Sequence, residues 1–330
     1  MGTTVPQLVV ANFPFLPDDQ QRLREALGDD AFLFVMEDDA LRGALVSHPQ
    51  TDTLITFRTP PDVLTLAPNL RWLALPSAGA ERILRMGLTQ ARPDLIITTA
   101  SGVHGVPMSE FVLSVMLIWA RRWPEIFTAQ REKRWPESQL ELMGGELDGA
   151  TLGVIGLGAI GRRIAQLGRA VGMRVVALRR SATPGQTDPD ADTLYAPNQL
   201  ADLLGQADYV VLSAPSTPET DHLITAERLR QMKRSAVLIN IARGELVDEP
   251  ALIAALRDGA IAGAGLDVFE TEPLPADSPL WSMPNVIISP HISGVTPRYS
   301  TRLATLFLDN VARLRSGQPL RNVVDVARGY

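Results

Sequence analysis

Leu152-Gly153-Val154-Ile155-Gly156-Leu157-Gly158-Ala159-Ile160-Gly161 is an apolar run that breaks into three spaced glycines. The run suits a buried strand, and the residues after it suit a helix. In such a strand–turn–helix the first glycine makes the turn and the second lets backbone approach a phosphate. The third lets the helix pack on the strand. The helix N-terminus adds free N–H groups and the positive end of a dipole. The stretch therefore predicts a parallel α/β sheet and a dinucleotide cradle at Gly156, Gly158, Ala159, Ile160 and Gly161. Roughly 20 residues on, an NAD site carries Asp or Glu for the ribose 2′-hydroxyl. This chain has Arg179-Arg180-Ser181 there. An arginine at that point suits a 2′-phosphate, so the reading favours NADP(H), with NAD(H) as the second choice.

Working outward, further strands are predicted at 174–178, 209–213, 237–241, 264–267 and 286–289. Upstream, strands are predicted at 8–11, 54–57, 72–75 and 95–98, with a helix over 18–27 ended by Gly28. These runs are apolar without period-two alternation, as in parallel strands covered on both faces. A long apolar helix is predicted over 108–123, with Pro107 in its first turn and no breaker before Pro124. Residues 131–145 read as a polar loop, and a last helix is predicted over 298–314. The mid-chain fingerprint places a dinucleotide-binding Rossmann domain at 101–294. It is inserted into a discontinuous substrate domain, 1–100 with 295–330. The fold class is thus α/β, with two doubly wound parallel sheets, the substrate domain being flavodoxin-like.

The 330 residues leave room for two domains of roughly 150 each. A hydrophobic content of 45% and a charged content of 21% are ordinary for a globular protein. The net charge is −6, and all but Lys133 and Lys233 of the 31 basic residues are arginine, scattered along the chain. That pattern argues against nucleic acid as a partner. The absence of cysteine excludes disulfides, thiolate catalysis and thiolate metal ligation. No histidine pair has metal spacing, so no metal is expected. No basic-then-apolar leader is read at the N-terminus, and the longest apolar stretch, 111–120, is well short of the roughly 20 residues a bilayer needs. The expectation is a cytoplasmic protein with no membrane partner. The methionines fall on apolar faces and read as core filling.

Hydride chemistry needs a proton donor or acceptor and a cation to orient the substrate. Of His48, His104, His222 and His291, only the last lies just after a predicted cofactor-domain strand, in Ser289-Pro290-His291-Ile292-Ser293-Gly294. Ligands in open α/β sheets bind at the carboxyl ends of strands. Two other strand ends deliver Arg243, and Asp267 with Glu272. An arginine holds a carboxylate through two parallel hydrogen bonds. A carboxylate beside a histidine fixes its tautomer and favours its protonated form. His48 and His222 read as surface loop residues.

The fingerprint is followed by Ala242-Arg243-Gly244-Glu245-Leu246-Val247-Asp248, then Gly265-Leu266-Asp267-Val268-Phe269 with Glu272-Pro273-Leu274, then Ser289-Pro290-His291. In that order the set resembles the D-isomer-specific 2-hydroxyacid dehydrogenases, from Ser77 to the last helix and most strongly over 151–294. The resemblance implies that Arg243, Glu272 and His291 are catalytic and that Asp267 contacts the nicotinamide carboxamide. Pro215, Thr220 and Ala242 join the fingerprint and Arg179, Arg180 and Ser181 as cofactor-binding residues. Ser77, Ala78 and Gly79 resemble the loop that holds the substrate carboxylate through backbone N–H groups, together with Arg243 and His291. Glu81 stands where the family often has aspartate and is given no role. Ser109-Glu110 resembles the Ala-Glu that opens the family's interdomain helix.

The implied reaction is reversible reduction of a 2-oxo acid to the D-2-hydroxy acid, in the manner of glyoxylate/hydroxypyruvate reductases (EC 1.1.1.-). His291, held by Glu272, donates the proton, and domain closure excludes water. The resemblance also implies a homodimer formed through the helix near 107–123 and an arm over 124–147. Phe111, Leu113, Leu117, Ile118 and Trp119 make that helix apolar enough all round to be buried. The main alternative is the same scaffold with formate, phosphite or 3-phosphoglycerate as substrate. Glu272 argues against formate, and a phosphoglycerate enzyme of the long type is expected to carry a regulatory extension that is not read here. Another is a cofactor-sensing binding protein like the C-terminal-binding corepressors. A methyltransferase would not explain Arg243, Glu272 and His291 together. The residues leave open which 2-oxo acid is used, and what His104 and Trp135 do.

Overall fold

Every residue of the strand Thr151–Ile155, which opens the fingerprint, is buried. That burial follows from its place at the centre of a sheet. The computed structural model describes residues 6–138 and 143–326. Contacts between Cα atoms divide the chain into two units, one made of residues up to 104 with those from 296 onward, the other of 105–295.

The discontinuous unit contains β1 (Val9–Asn12), α1 (Pro17–Leu27), β2 (Phe32–Phe34), α2 (Asp38–Ser47), β3 (Thr53–Thr56) and α3 (Val63–Leu66). Then come β4 (Trp72–Ala74), α4 (Glu81–Arg85), α5 (Leu88–Ala91) and β5 (Ile96–Thr98). Its strands are all parallel, in the order β2-β1-β3-β4-β5. This is the flavodoxin-like order.

The continuous unit runs α6 (Gly105–Ala120), α7 (Trp123–Arg131), β6 (Thr151–Ile155), α8 (Ala159–Ala170), β7 (Arg174–Leu178), β8 (Thr193–Tyr195) and α9 (Leu200–Gln206). It continues with β9 (Tyr209–Leu212), α10 (Ala226–Gln231), β10 (Val237–Asn240), α11 (Glu249–Arg257), β11 (Gly263–Leu266) and β12 (Val286–Ile288). The seven-stranded parallel sheet has the order β12-β11-β10-β9-β6-β7-β8. Counted from β6, this is 3-2-1-4-5-6 with a seventh strand added, the Rossmann order, whose direction reverses between β6 and β9.

Alternate strand residues feed two cores. Ile155, Leu212, Leu238 and Leu266 face α9, α10 and α11, whereas Val154, Val211 and Ile239 face α6 and α8. Both faces are therefore covered, which is why these strands read as continuous apolar runs. A final helix, α12 (Tyr299–Arg315), belongs to the discontinuous unit. There Leu303, Phe307 and Val311 share a core with Val9, Ile55 and Trp72. Phe307 stacks on Trp72 with ring centroids 4.8 Å apart.

The edge strands β2 and β8 add to the predicted set. One expectation is corrected. The helix predicted over 108–123 begins at Gly105 and ends at Ala120. Arg122 takes a left-handed φ of 54°, and Pro124 lies in the first turn of α7, where a missing N–H costs nothing. Proline here starts a helix rather than ending one. Along α6, Val112, Val115 and Met116 are buried within the chain and Leu117 is exposed. Of the arm expected over 124–147, residues 139–142 lie outside the described residues.

Candidate functional site

The fingerprint turn sits where the strand order reverses. Gly156 has φ of +101°, and a Cβ there would lie 2.6 Å from the amide nitrogen of Ala214, just past β9. Ser213 Oγ donates to Gly156 O at 2.8 Å, which joins the two strand ends. A Cβ on Gly161 would lie 2.0 Å from Gly156 O, so the helix could not approach the turn. A Cβ on Gly158 would meet nothing within 4 Å. Thus the first and third glycines are closed by the chain's own backbone, and the second faces open space.

Gly158 is the N-cap of α8 and provides no side-chain cap, and there is no acidic residue in the first turn. The free N–H groups and the dipole then favour an anion. The residues present fit a dinucleotide pyrophosphate. Thr220 and Pro215 lie in one turn beyond β9, where Thr220 Oγ1 donates to Pro215 O at 2.7 Å and accepts from Thr217 N at 2.8 Å.

Past β7, Arg179 Nη1 donates to Asp188 Oδ2 at 2.9 Å. The same carboxylate takes a two-pronged bond from Arg162 of α8, both prongs at 2.8 Å. The Arg162 hydrogen bonds above all, with the Asp190 N–H and the positive charges of Arg162 and Arg179, hold the Asp188 carboxyl down at about 2. Arg179 Nε is buried without a hydrogen-bond partner among the described residues, an orphan donor that suits an added acceptor. Arg180 and Ser181 are exposed.

At the other end of the same sheet edge stand the residues expected to be catalytic. His291 Nδ1 lies 2.8 Å from Glu272 Oε2. Glu272 is itself held, because its other oxygen accepts the Phe269 N–H at 3.1 Å. With Nδ1 facing a carboxylate, the proton belongs on Nδ1 and Nε2 is the nitrogen left for chemistry. His291 has φ of 53°, an uncommon conformation for a non-glycine residue. It persists because the turn is pinned from below. Asp267 is fully buried at the end of β11, and its carbonyl accepts the His291 N–H at 2.9 Å. Its carboxylate accepts from Ser289 Oγ at 2.5 Å, Ile292 N at 2.9 Å and Ser293 N at 3.0 Å. Three of roughly four acceptor positions are thereby used to shape the histidine turn, a task the sequence did not show.

Arg243 follows β10, with Nη1 donating to Ala242 O at 2.7 Å. Asn240, buried at the strand end, accepts from Ala242 N at 3.1 Å and donates to Arg243 O at 2.9 Å. The side-chain amide thus fixes the backbone that carries the arginine. A Cβ on Gly244 would lie 1.9 Å from the carbonyl carbon of Phe269. Only glycine lets the Arg243 loop press against the loop that bears Glu272. Sequence reasoning missed Asn240 and Gly244 as site-builders, although a polar residue ending Val237-Leu238-Ile239 was a readable signal. It gave no hint of Asp188.

His222 is an exposed turn residue, as expected, and its Nε2 lies 3.0 Å from Glu270 Oε1. That contact, more than the nearby charges, raises its pKa. In the discontinuous unit, Ser77 Oγ donates to Gly79 O at 2.7 Å, closing a small turn with Ala78 exposed at its tip. Tyr299 OH donates to Pro76 O, and burial pushes its phenol up. His104 packs on Tyr299 with ring centroids 4.9 Å apart. Among the described residues no cluster of His, Cys, Asp and Glu is arranged to hold a metal. No helix among them is long and apolar enough to cross a membrane.

A glycine-turn Rossmann sheet with an Arg, Glu and His at its strand ends defines a nicotinamide-dependent dehydrogenase scaffold. Residues 113–293 match the family model described as "D-isomer specific 2-hydroxyacid dehydrogenase, NAD binding domain". The chain belongs to the D-isomer-specific 2-hydroxyacid dehydrogenase family. A glyoxylate reductase of Korarchaeum cryptofilum (strain OPF8) is 34% identical over 282 residues, covering 83% of this chain and 82% of that protein. A glyoxylate/hydroxypyruvate reductase B of Yersinia pestis (strain Pestoides F) is 37% identical over 267 residues, 80% of each. The crystal structure of a D-isomer specific 2-hydroxyacid dehydrogenase from Xanthobacter autotrophicus Py2, in complex with NADPH and MES, has a TM-score of 0.82 at 31% identity. It covers 98% of this chain and 100% of that one.

Proposed function

We propose that this protein reduces a small 2-oxo acid, glyoxylate or hydroxypyruvate, to the D-2-hydroxy acid and prefers NADP(H). The observation that carries the reading is the His291–Glu272 pair at 2.8 Å, with Glu272 anchored on the Phe269 N–H. The nicotinamide, when bound, supplies the hydride. Arg243 pairs with the substrate carboxylate and draws electron density from the adjacent carbonyl. Glu272 accepts the Nδ1–H of His291 and so fixes the ring with Nε2 as the nitrogen that transfers the proton. His291 gives that proton to the carbonyl oxygen as negative charge develops there. In the oxidative direction neutral His291 takes the hydroxyl proton back. Ala78 and Gly79 offer backbone N–H groups to a carboxylate.

Gly156, Gly158, Ala159, Ile160 and Gly161 would cradle the pyrophosphate, with Pro215, Thr220 and Ala242 along the cofactor and Asp267 near the carboxamide. The preference for the phosphorylated cofactor rests on Arg179, whose guanidinium suits a 2′-phosphate that an acidic residue would repel. The relative from Xanthobacter autotrophicus crystallised with NADPH supports it. We extend the proposal to a cytoplasmic homodimer, since Leu117, Trp123, Phe127 and the 90%-exposed Trp135 leave apolar surface on α6, α7 and the arm. Light scattering that gives the mass of one chain removes the dimer.

The deciding experiment is a steady-state panel of glyoxylate, hydroxypyruvate, pyruvate and 2-oxobutyrate with NADPH and with NADH. Turnover of the two smallest polar acids, with higher kcat/KM for NADPH, is expected. No turnover of any 2-oxo acid overturns the activity, and a strong NADH preference overturns the cofactor assignment.

A further inference from the structure

The loop between β7 and β8 contains a buried carboxylate with no part in the chemistry above. The Asp188 side chain is 4% exposed and lies between two arginines of different origin. Arg162 stands one residue past the last fingerprint glycine, in the first turn of α8. Its guanidinium meets both Asp188 oxygens at 2.8 Å and reaches Asp190 Oδ2 at 2.6 Å. Arg179 joins the same carboxylate through Nη1 at 2.9 Å. Gln166 Nε2 donates to Asp190 Oδ1 at 3.1 Å, and the Asp190 N–H donates to Asp188 Oδ1 at 3.1 Å. The loop is thus riveted to the helix that starts at the fingerprint.

An arginine on a free loop end loses rotamer entropy each time it closes on an anion. Here that ordering is done in advance, because a two-pronged pair fixes Asp188 and Asp188 fixes one end of Arg179. The cost is partial neutralisation of the same guanidinium. Removing Asp188 would leave Arg162 and Arg179 more positive but less ordered. The added positive charge alone would tighten binding of a phosphate, and the lost ordering alone would weaken it.

We propose that Asp188 is a positioning residue for cofactor choice: it holds Arg179 in place for the 2′-phosphate, through the fork it shares with Arg162. The inference rests on the reading of Arg179 as the 2′-phosphate partner. Arg179 Nε is buried and has no hydrogen-bond partner among the described residues, as fits a group held in place for an added acceptor.

The test is calorimetric titration of the whole protein with 2′,5′-ADP and with 5′-AMP, which differ at the 2′ position and need no turnover. The wild type is expected to bind 2′,5′-ADP more tightly, and Arg179→Ala is expected to abolish the difference. Asp188→Asn is expected to weaken 2′,5′-ADP about tenfold, the scale of one charge-assisted hydrogen bond, while 5′-AMP is unchanged. Arg162→Lys keeps the charge and removes the fork. It is expected to lose part of the same preference, and it serves as the probe should Asp188→Asn fail to fold. If the wild type shows no preference, the Arg179 reading falls and this inference with it. If Arg179→Ala loses the preference while Asp188→Asn or Arg162→Lys keeps or strengthens it, the positioning role alone is overturned. Equal weakening of both nucleotides also overturns it, because that marks a general structural loss.

Discussion

Along the carboxyl edge of the seven-stranded sheet, the half from β6 to β8 offers mainly backbone, and the half from β10 to β12 offers side chains. In the first half Gly156 and Gly161 are closed on their own chain and Gly158 faces open space, so the site is made by what is missing. In the second half Arg243, Glu272 and His291, the proposed catalytic groups, are each held by a neighbouring group. Asn240 holds the Arg243 backbone, the Phe269 N–H holds Glu272, and Asp267 holds the turn of His291. A backbone site is specified by short-range sequence. A side-chain site needs strand ends far apart in the chain to be brought into register.

The sharpest way to break the comparison is His291→Ala. It is expected to lower kcat by roughly 10²- to 10⁴-fold, the usual share of a general acid. Nucleotide binding, measured by fluorescence titration, should persist. An unaltered kcat removes His291 from the mechanism.

The next test lies in the backbone half and compares two glycines. Gly161→Ala puts a methyl 2.0 Å from Gly156 O and should lower both thermal stability and nucleotide affinity. Gly158→Ala meets nothing within 4 Å, so its melting temperature should match the wild type. Its nucleotide affinity should still drop about tenfold, as backbone approach to phosphate is blocked. Similar behaviour of the two variants would erase the distinction between a packing glycine and a contact glycine.

A third test asks whether the braces of the side-chain half act on function. Asn240→Ala leaves the Ala242 N–H and the Arg243 carbonyl without their buried partner. It should cost about 1–3 kcal/mol in urea unfolding and raise KM for the 2-oxo acid. Lost stability with unchanged KM would make Asn240 a fold residue only.

The smallest effect is expected at His222. Its pKa is raised, chiefly by Glu270, so its contribution to stability is full below the ordinary histidine range. It is lost as pH rises through the elevated value. His222→Gln should therefore flatten a shallow fall in melting temperature between about pH 6 and pH 8. An identical pH profile in the variant would show that the exposed pair contributes nothing, as many surface pairs do.

The legibility of the two halves differs in the same way. The fingerprint was readable because its requirements fall within ten consecutive residues. Arg243, Glu272 and His291 were noticed one by one at predicted strand ends, and their ordered resemblance to a family singled them out. That Glu272 holds His291 was implied by the resemblance alone and by no spacing, for the two are 19 residues apart in sequence and stand 2.8 Å from each other. Asp188 gave no signal, because Asp188-Pro189-Asp190 reads as an ordinary solvated turn. The break between α6 and α7 was misread for a related reason: proline is compatible with either end of a helix, and only the φ of Arg122 decides which.

The chain alone determined the parallel α/β class, the dinucleotide turn and the alternation of strands and helices. These follow from runs of apolar residues and from glycines whose missing Cβ is a local fact. The tertiary structure alone decided the sheet orders and the set of buried groups that aim the candidate site's side chains. Strand order depends on which apolar faces meet after the chain has turned back on itself. The work of Asp267, Asn240 and Asp188 depends on partners brought close by that meeting, and no spacing in the sequence encodes it.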